Sequence, residues 1–560
     1  MHNPILKIES ISSSGDGIAY LDNKKVFIKD VLIGEEVEVR LTEVKDSYAQ
    51  AEVIKYLKRS LYRTPSICAN NCGACHYLCC SYDYEIKLKQ QEVFECFNKD
   101  LDFVALYQNS SNLPFERMDN PYNYRNKAVY AISYIGNQLM VGLYETRTHS
   151  IVEIKNCCLE AMWINACRDS IKEFLLSNKE YLQKFLPSLK YLFFRGTDDS
   201  EKIVVFVVNN EDSVKELQKF DLLTNLQELL QDSIQKIFSL DEFKYKAMIN
   251  IVVNINTSEG NRILGDKNIT LSGNEFINIK LLDNLFEINT HAFLQINLEQ
   301  TKKLYQYAIN ELNVCKDDNV LDLYCGAGTI SLYLARFVKN VIGIECVPSA
   351  IDNAKLNAKN NSVYNATFYC GNVEDVLPSI NLKEEIISAA ILDPARKGCE
   401  QQVFDTLASN NINKIVYISC NYKTQYRDIQ YAKKLGYQVK SIKVFDLFPH
   451  TKHVETCVLL VRESISDDDM VSIKVDLDGI ALVQGRYVPP VKPTYKNIKQ
   501  WILDKYGLNV STLYIAQIKD KVGLEKRKNY NPGSGEGKVP ICPPEKEDAI
   551  MDAFKNFNLI

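Results

Sequence analysis

Long apolar runs are missing from this chain. Nothing approaches the roughly 20 consecutive apolar residues of a membrane span, although apolar residues fill 46% of its 560 positions. The opening residues, MHNPILKIES, carry neither a basic nor an apolar stretch. No export signal is expected, and the protein is read as cytoplasmic. An excess of one charge is also missing: 66 Lys and Arg against 71 Asp and Glu give a net charge of −5, which excludes neither an acidic nor a basic local surface. Internal repeats and low-complexity tracts are absent, which excludes solenoids and fibrous classes. Cysteine is not scarce. Seventeen is an odd count, and without an export signal it argues against a disulfide framework. Cys68, Cys72, Cys75, Cys79 and Cys80 crowd together, and such crowding asks for a metal explanation.

A chain this long exceeds one compact core, so three or four domains are expected. Residues 1–59 read as short β-rich runs with turns at Ser14-Gly15-Asp16-Gly17 and Ile33-Gly34-Glu35, the pattern of a small OB-like barrel. A helix is expected from Tyr82 to about Lys99. Residues 60–288 hold the cysteines, strand-like runs such as KIVVFVVN and a long helical segment, an α+β pattern. From 289 to 463 the chain alternates buried-type strands with helices, the signature of a parallel sheet covered on both faces, a Rossmann-like α/β domain. SISDDDM is an acidic linker. Beyond it, 468–560 is read as a small α+β extension: a strand (VSIKVDLDGIALV), a Pro-rich joint at Pro489-Pro490 to Pro493, and two helical runs, TYKNIKQWILDKYG and VSTLYIAQIKDKVG.

The chemistry concentrates in the α/β part. In VLDLYCGAGTISLYLA an apolar strand ends in Asp322, and a turn through Gly326 and Gly328 leads into a helix. Glycines there let the backbone approach a ligand at the carboxyl edge of the sheet. The next strand ends in Glu345, placed to accept hydrogen bonds from ribose hydroxyls. Together with Asp393 in LDPAR, this reads as a nucleotide site. The Gly-x-Gly-x-x-Gly of nicotinamide enzymes is absent, so the adenosine of S-adenosylmethionine fits better than a dinucleotide. KIVYISCN puts Cys420 at the end of another strand on the same edge. A thiolate there could add to C6 of a uracil and make C5 nucleophilic toward a sulfonium methyl. Glu455 in FPHTKHVETC could then take the C5 proton. The plain alternatives are a small buried cysteine and a surface acid.

These segments together resemble the RNA uridine C5-methyltransferase family, in its branch with an N-terminal TRAM domain and an iron–sulfur cluster. The resemblance rests on YRNK (Tyr124 to Lys127), FLQIN (Phe293 to Asn297), DLYCGAGT (Asp322 to Thr329), LDPARKG (Leu392 to Gly398), SCN (Ser419 to Asn421) and FPHTKHVE ending at Glu455. It spans about residues 5 to 463. It implies a class I S-adenosylmethionine-dependent fold, Gln295, Tyr324, Glu345 and Asp393 as cofactor contacts, Cys420 as nucleophile and Glu455 as proton acceptor. After SCN the family usually continues with Pro, a variable residue and Thr, whereas this chain has Tyr422-Lys423-Thr424. By analogy the target is 23S rRNA rather than tRNA, and the protein acts as a monomer without a membrane.

Cys68, Cys72 and Cys75 suit zinc or iron–sulfur. The resemblance implies a fourth ligand, Cys157, with Cys158 as a one-residue alternative, and a [4Fe–4S] cluster that orients rather than reacts. The same spacing equals the radical S-adenosylmethionine motif, so a radical tRNA-modifying enzyme is an alternative. The complete second cofactor site and the absence of a repeating barrel pattern weigh against it. Cys79 and Cys80 read as buried neighbours. The barrel, together with the aromatics and Arg125 of YRNK, is expected either to contact RNA or to serve as packing and core support, with the target uridine flipped out of any stack. Lys492, Lys496, Lys499, Lys505, Lys519, Lys521, Lys526, Arg527 and Lys528 make the extension basic, fit for phosphates or simply solvated. A non-catalytic RNA-binding or assembly protein is the alternative of a different class. Amino-group methyltransferases typically carry Asn/Asp-Pro-Pro-Tyr/Phe where this chain has Asp393-Pro394-Ala395-Arg396.

Overall fold

A computed structural model describes residues 3–12, 14–70, 72–145, 150–199, 201–238, 248–380, 386–462, 495–522 and 542–556. The chain divides into two units, Met1–Ser466 and Asp467–Ile560.

The first unit begins with six strands: Ile5–Lys7, Ser10–Ile11, Gly17–Leu21, Lys24–Ile28, Glu36–Val44 and Tyr48–Lys58. Alternation along Glu36–Val44 buries Val37 and Val39, as one-sided burial of a strand demands. Asp22 and Asn23 both take positive φ, 49° and 64°, the two-residue turn that matches strand twist. The expected barrel is corrected in one respect. The ladders run first-fifth-sixth-fourth-third-second and do not form a closed ring, because both edges come from one bent segment, 5–11. Its middle residues, Ile8 and Glu9, instead donate to the Glu35 and Ile18 carbonyls. Arg63 and the backbone of Leu32 and Ser60 hydrogen-bond the buried Glu35 carboxylate, tying this sheet to the cysteine-rich segment.

A seven-stranded sheet follows. It is antiparallel except where Lys202–Val208 runs parallel to Ile249–Ile255. Helices Met162–Ser177 and Leu222–Phe238 share its core, in which Trp163 meets Phe194 edge-on at 6.2 Å.

The eight-stranded sheet positions the site. Strands Ala366–Cys370, Asn340–Glu345, Asn319–Leu323, Ile387–Leu392 and Lys414–Ser419 lie side by side in parallel. Glu455–Arg462 and Tyr437–Phe445 then continue the sheet antiparallel. Every residue of Asn319–Leu323 is buried, which explains its continuous apolar reading. The N-terminal third of the chain also enters this domain. Phe115–Glu116 adds the edge strand beside Tyr437–Phe445, and Val93 and Phe97 of the helix Tyr82–Phe97 join the sheet's core. That helix buries Lys89, whose ammonium donates to Glu85 and to Asp446 at 2.7 Å each. Glu85 accepts the His450 backbone N–H at 2.7 Å. Two buried carboxylates around one ammonium fix the loop that leads to Glu455. The hairpin Phe276–Leu281 with Asn284–Asn289 is pinned to the helix Pro348–Asn360, because Asn357 and Asn361 accept the Glu287 and Leu285 N–H groups at 2.8 Å.

In the second unit, helices Tyr495–Tyr506, Thr512–Lys521 and Pro544–Asn556 share a core of Ile498, Ile502, Ile515, Ile550 and Phe554. The last helix was not anticipated, although Ala549, Ile550, Ala553 and Phe554 lie on one helical face. The expected strand and Pro-rich joint fall outside the described residues, as do Lys492, Lys526, Arg527 and Lys528.

Candidate active site

At the carboxyl ends of the parallel strands lies a cavity of about 520 Å³. Gln295, Tyr324, Glu345, Asp393, Cys420 and Glu455 all line it. Six residues spread over 161 positions thus meet: five because strand ends share one rim, and Gln295 from the segment before the helix Leu298–Leu312.

The turn after Asn319–Leu323 explains its own sequence. Tyr324 takes φ 68°, Gly326 φ 54° and Gly328 φ 80°. A side chain at Gly326 would meet nothing within 4 Å, because that face opens on the cavity. One at Gly328 would come within 2.9 Å of Leu332 and 3.3 Å of Ala354. The first glycine leaves room for a ligand, and the second lets the helix pack. A tyrosine in the left-handed region is strained backbone, held here by the Tyr324 and Cys325 N–H groups, which donate to Ile344 O at 2.9 and 3.0 Å. Glu345 accepts from the Gly326 N–H at 3.2 Å and the Val347 N–H at 2.9 Å, so its carboxylate is fixed at the cavity wall.

Charge in this cavity is one-sided. Burial pushes Asp393 up to about 7, and nearby Asp322 adds to it. Burial likewise lifts Asp322 to about 7. One of its carboxyl oxygens accepts from Ser331, and the other has no hydrogen-bond partner. Glu455 is raised well above the usual carboxylate range by burial and by Asp393, against the pull of Arg396. Buried acids with elevated pKa values are short of cations. Arg396 and Lys397 stand only at the exposed rim. A ligand bearing positive charge beside an apolar ring system is what such walls accept.

Cys420 ends the strand Lys414–Ser419. Burial, then Glu455 and Asp393, push its thiol up to about 11. Asn421 caps the helix Tyr422–Lys434 by accepting the Lys423 N–H at 3.2 Å. Its amide donates to Arg396 O at 3.1 Å, which joins the SCN loop to the DPARKG loop. His453, which the sequence did not single out, also lines the cavity. Burial, with Arg396 and Lys452, holds its imidazole down to about 4, so it is neutral at physiological pH.

The family model described as tRNA (uracil-5-)-methyltransferase matches residues 103–463, and the TRAM domain model matches 6–54. The chain belongs to the tRNA (uracil-5-)-methyltransferase family. An uncharacterized RNA methyltransferase of Clostridium acetobutylicum is 31% identical over 471 residues, covering 81% of this chain and 96% of that protein. One of Staphylococcus aureus is 33% identical over 465 residues, covering 81% and 96%. The Pyrococcus abyssi tRNA (uracil-54, C5)-methyltransferase, solved in complex with S-adenosyl-L-homocysteine, superposes with a TM-score of 0.62 over 81% of this chain and 99% of that one, at 24% identity. That likeness shows the class I methyltransferase fold. The family acts on RNA and uses S-adenosylmethionine, and the cavity's acidic walls suit that cation. Among the described residues no helix is long and apolar enough to cross a membrane.

Within the family pattern, the structure gives YRNK the supporting place that was the alternative to RNA contact. The Tyr124 hydroxyl donates to Pro449 O at 2.9 Å, and the Asn126 amide donates to Gln295 O at 2.9 Å. Asn297 in turn donates to Leu447 O at 3.0 Å. YRNK, FLQIN and FPHTKHVE are therefore one hydrogen-bonded brace behind the cavity. Arg125 turns inward: its guanidinium lies 6.0 Å from the Tyr124 ring, and its buried Nε has no hydrogen-bond partner. The departure after SCN is absorbed locally. Tyr422 occupies the first helical position, where proline is favoured only because no N–H is needed, and its hydroxyl meets Glu92 at 2.5 Å.

The cysteine cluster departs most from expectation. Asn70 donates to Asn156 O at 2.6 Å and to Cys68 Sγ at 3.4 Å, which brings the first cysteine loop beside the second. Burial first, then neighbouring thiols, raises Cys75, while burial and then Glu160 push Cys157 up to about 11. Yet among the described residues no group of three or more His, Cys, Asp or Glu side chains is arranged to hold a metal ion. The expected ligand set of Cys68, Cys72, Cys75 and Cys157 has the right donor chemistry and shares one neighbourhood, but it does not converge. Neutral thiols exert no pull on one another; only a metal's charge would gather them as thiolates. Cys79 and Cys80 are buried, with Leu32 and Tyr77.

Proposed function

We propose that this protein transfers a methyl group from S-adenosylmethionine to C5 of a uridine in RNA, through a covalent adduct on Cys420. The Cys420 thiolate adds to uracil C6, and the electron pair of the C5–C6 bond moves into an enolate. C5 then takes the methyl, whose bond to the sulfonium breaks and leaves a neutral thioether. Glu455 removes the C5 proton, the ring double bond re-forms, and the Cys420–C6 bond breaks. Gln295, Tyr324, Glu345 and Asp393 hold the donor. The observation that carries this reading is that the thiol, the buried acid and the glycine turn line one cavity. RNA containing 5-fluorouridine is the decisive probe, because fluorine at C5 cannot leave as a proton. With the methyl donor present, a denaturation-resistant protein–RNA complex is expected. Its absence would overturn the covalent mechanism, and methyl transfer by Cys420→Ala would do the same.

The target we favour is 23S rRNA, on the combination of a TRAM domain with a cysteine cluster. A tRNA target is the second reading, favoured by the fold shared with an enzyme named for tRNA uracil-54. Mapping 5-methyluridine in both RNAs, from cells with and without the gene, separates them. Cys68, Cys72, Cys75 and Cys157 would hold a [4Fe–4S] cluster that orders the segment between the two larger sheets and takes no part in methyl transfer. Iron and acid-labile sulfide in anaerobically purified protein would support it, and zinc alone would refute it. We assign the four segments 1–59, 60–288, 289–463 and 468–560 to RNA docking, cluster and RNA contact, methyl transfer, and auxiliary phosphate contact, within a monomeric cytoplasmic enzyme.

A further inference from the structure

Cys420 stands at a boundary. On one side is the large, mostly apolar cavity. On the other is a second cavity of about 190 Å³, lined by Glu92, Arg396, Tyr422, Lys423, Lys452 and His453. Arg396, Cys420 and His453 belong to both. Charge is sorted across this boundary. The walls deep in the large cavity carry Glu345, Asp393 and Glu455, while Arg396, Lys423 and Lys452 gather round the small one. From these residues, and resting on the RNA methyl-transfer reading above, we propose that the small cavity is a phosphate subsite, in which Arg396, Lys423 and Lys452 hold the backbone phosphate of the nucleotide whose base is presented to Cys420.

The geometry fits the task. A base lying over Cys420 in the large cavity leaves its ribose and phosphate at the shared border, where the small cavity begins. An interior acidic site would repel that phosphate, so the anion needs cations outside it and close by. Lys423 is held there by the Tyr422 ring, whose centroid lies 5.5 Å from its ammonium. Tyr422 is itself fixed by Glu92. The replacement of proline by Tyr422 thus has a consequence: it supplies the platform on which Lys423 rests. Glu92 is the one acid in the small cavity. Burial raises its pKa, against Tyr422, Lys423 and Lys452, which reduces its opposition to an anion.

The test measures affinity of the full-length protein for a short fluorescent oligouridylate across a salt series. The comparison is wild type against the double variant Lys423→Ala with Lys452→Ala. Each phosphate that the protein neutralises on single-stranded RNA contributes about 0.7 to the slope of log K against log salt. The slope of the double variant should be shallower by about 0.7, and its binding about tenfold weaker. The oligouridylate should protect Cys420 from iodoacetamide in wild type but not in the variant. Lys423→Arg with Lys452→Arg should restore both readings, and the exposed Lys355→Ala with Lys359→Ala should change neither. Should the alanine variant fail to fold, Lys452→Glu alone carries the same expectation. An unchanged slope with protection retained would overturn the subsite. Methyl transfer to RNA by wild type is scored separately: if it fails while the slope still falls, the phosphate subsite stands and the proposed function does not.

Discussion

The cofactor cavity and the cysteine loops are both motif-rich, but their side chains are positioned by different means. In the cavity, residues as distant as Gln295 and Glu455 both line the wall. All but Gln295, which precedes the helix Leu298–Leu312, sit at the ends of strands whose registers are fixed by ladders and by cores buried on both faces. In the cysteine segment, the described residues around Cys68 and Cys75 form neither helix nor strand, and among the described residues the thiols stop short of a ligand set. A packed sheet builds its site before anything binds. A loop site of this kind would need a metal's own binding energy to complete it.

The sharpest way to break this contrast is at the sulfur. Cys420→Ala should lower methyl transfer on the order of 10⁴-fold while leaving S-adenosylmethionine affinity within about twofold by calorimetry. A large loss of cofactor affinity would mean that the cavity is not preorganised. Glu455→Gln comes next. Loss of a general base costs about 10² to 10⁴-fold in turnover, and here it should also make the covalent complex accumulate on ordinary uridine RNA, visible as a shifted band in a denaturing gel. For the cysteine segment, Cys75→Ser should remove most iron from anaerobically purified protein and lower its thermal midpoint, yet leave cofactor affinity unchanged. Cofactor binding that disappears with the iron would show that the two regions are coupled.

The pH response sharpens the comparison further. Asp322 and Asp393 are raised by burial from 3.8 to about 7. A folded pKa above the unfolded one favours the protonated chain, so their contribution is fully present below the unfolded value and is lost as pH rises through about 7. The thermal midpoint of the ligand-free protein should therefore decline between about pH 4 and 7. The cationic donor should counter that decline, giving a larger stabilisation at the upper end of the window. Cys157 and Cys158, pushed up to about 11 and about 12 by burial first, lie outside that window and should leave it unchanged. The smallest effect is expected at the C-terminal helices: ending the chain at Ser466 should weaken RNA affinity by only about threefold. Lys505 and Lys521 there already pair with Asp552 and Glu547.

Much of the cavity was legible because strand ends in an α/β sheet are marked by apolar runs that stop at Asp322, Glu345, Asp393 and Cys420, and such ends share one rim by rule of the architecture. Whether Arg125 faces RNA or supports the core was not legible, for a matching reason. An exposed-looking cation in sequence gives no sign of whether its neighbours fold over it, and here Tyr124 and the cysteine loops do. Lys89 was overlooked because a lysine on a polar helix reads as solvated, whereas the partners that bury it, Asp446 and the loop at His450, lie more than 350 positions away.

Local pattern thus determined the α/β order and the glycine turn, since these depend on neighbours within a few residues or on a strand's own periodicity, and it marked Cys420 only as a candidate at a strand end. Only the tertiary structure decided that YRNK braces the cavity from behind, that the helix Tyr82–Phe97 and the edge strand Phe115–Glu116 complete the catalytic sheet, and that acids and cations separate on either side of Cys420. Those outcomes come from contacts between segments hundreds of residues apart, where burial and Coulomb terms depend on who the neighbours are.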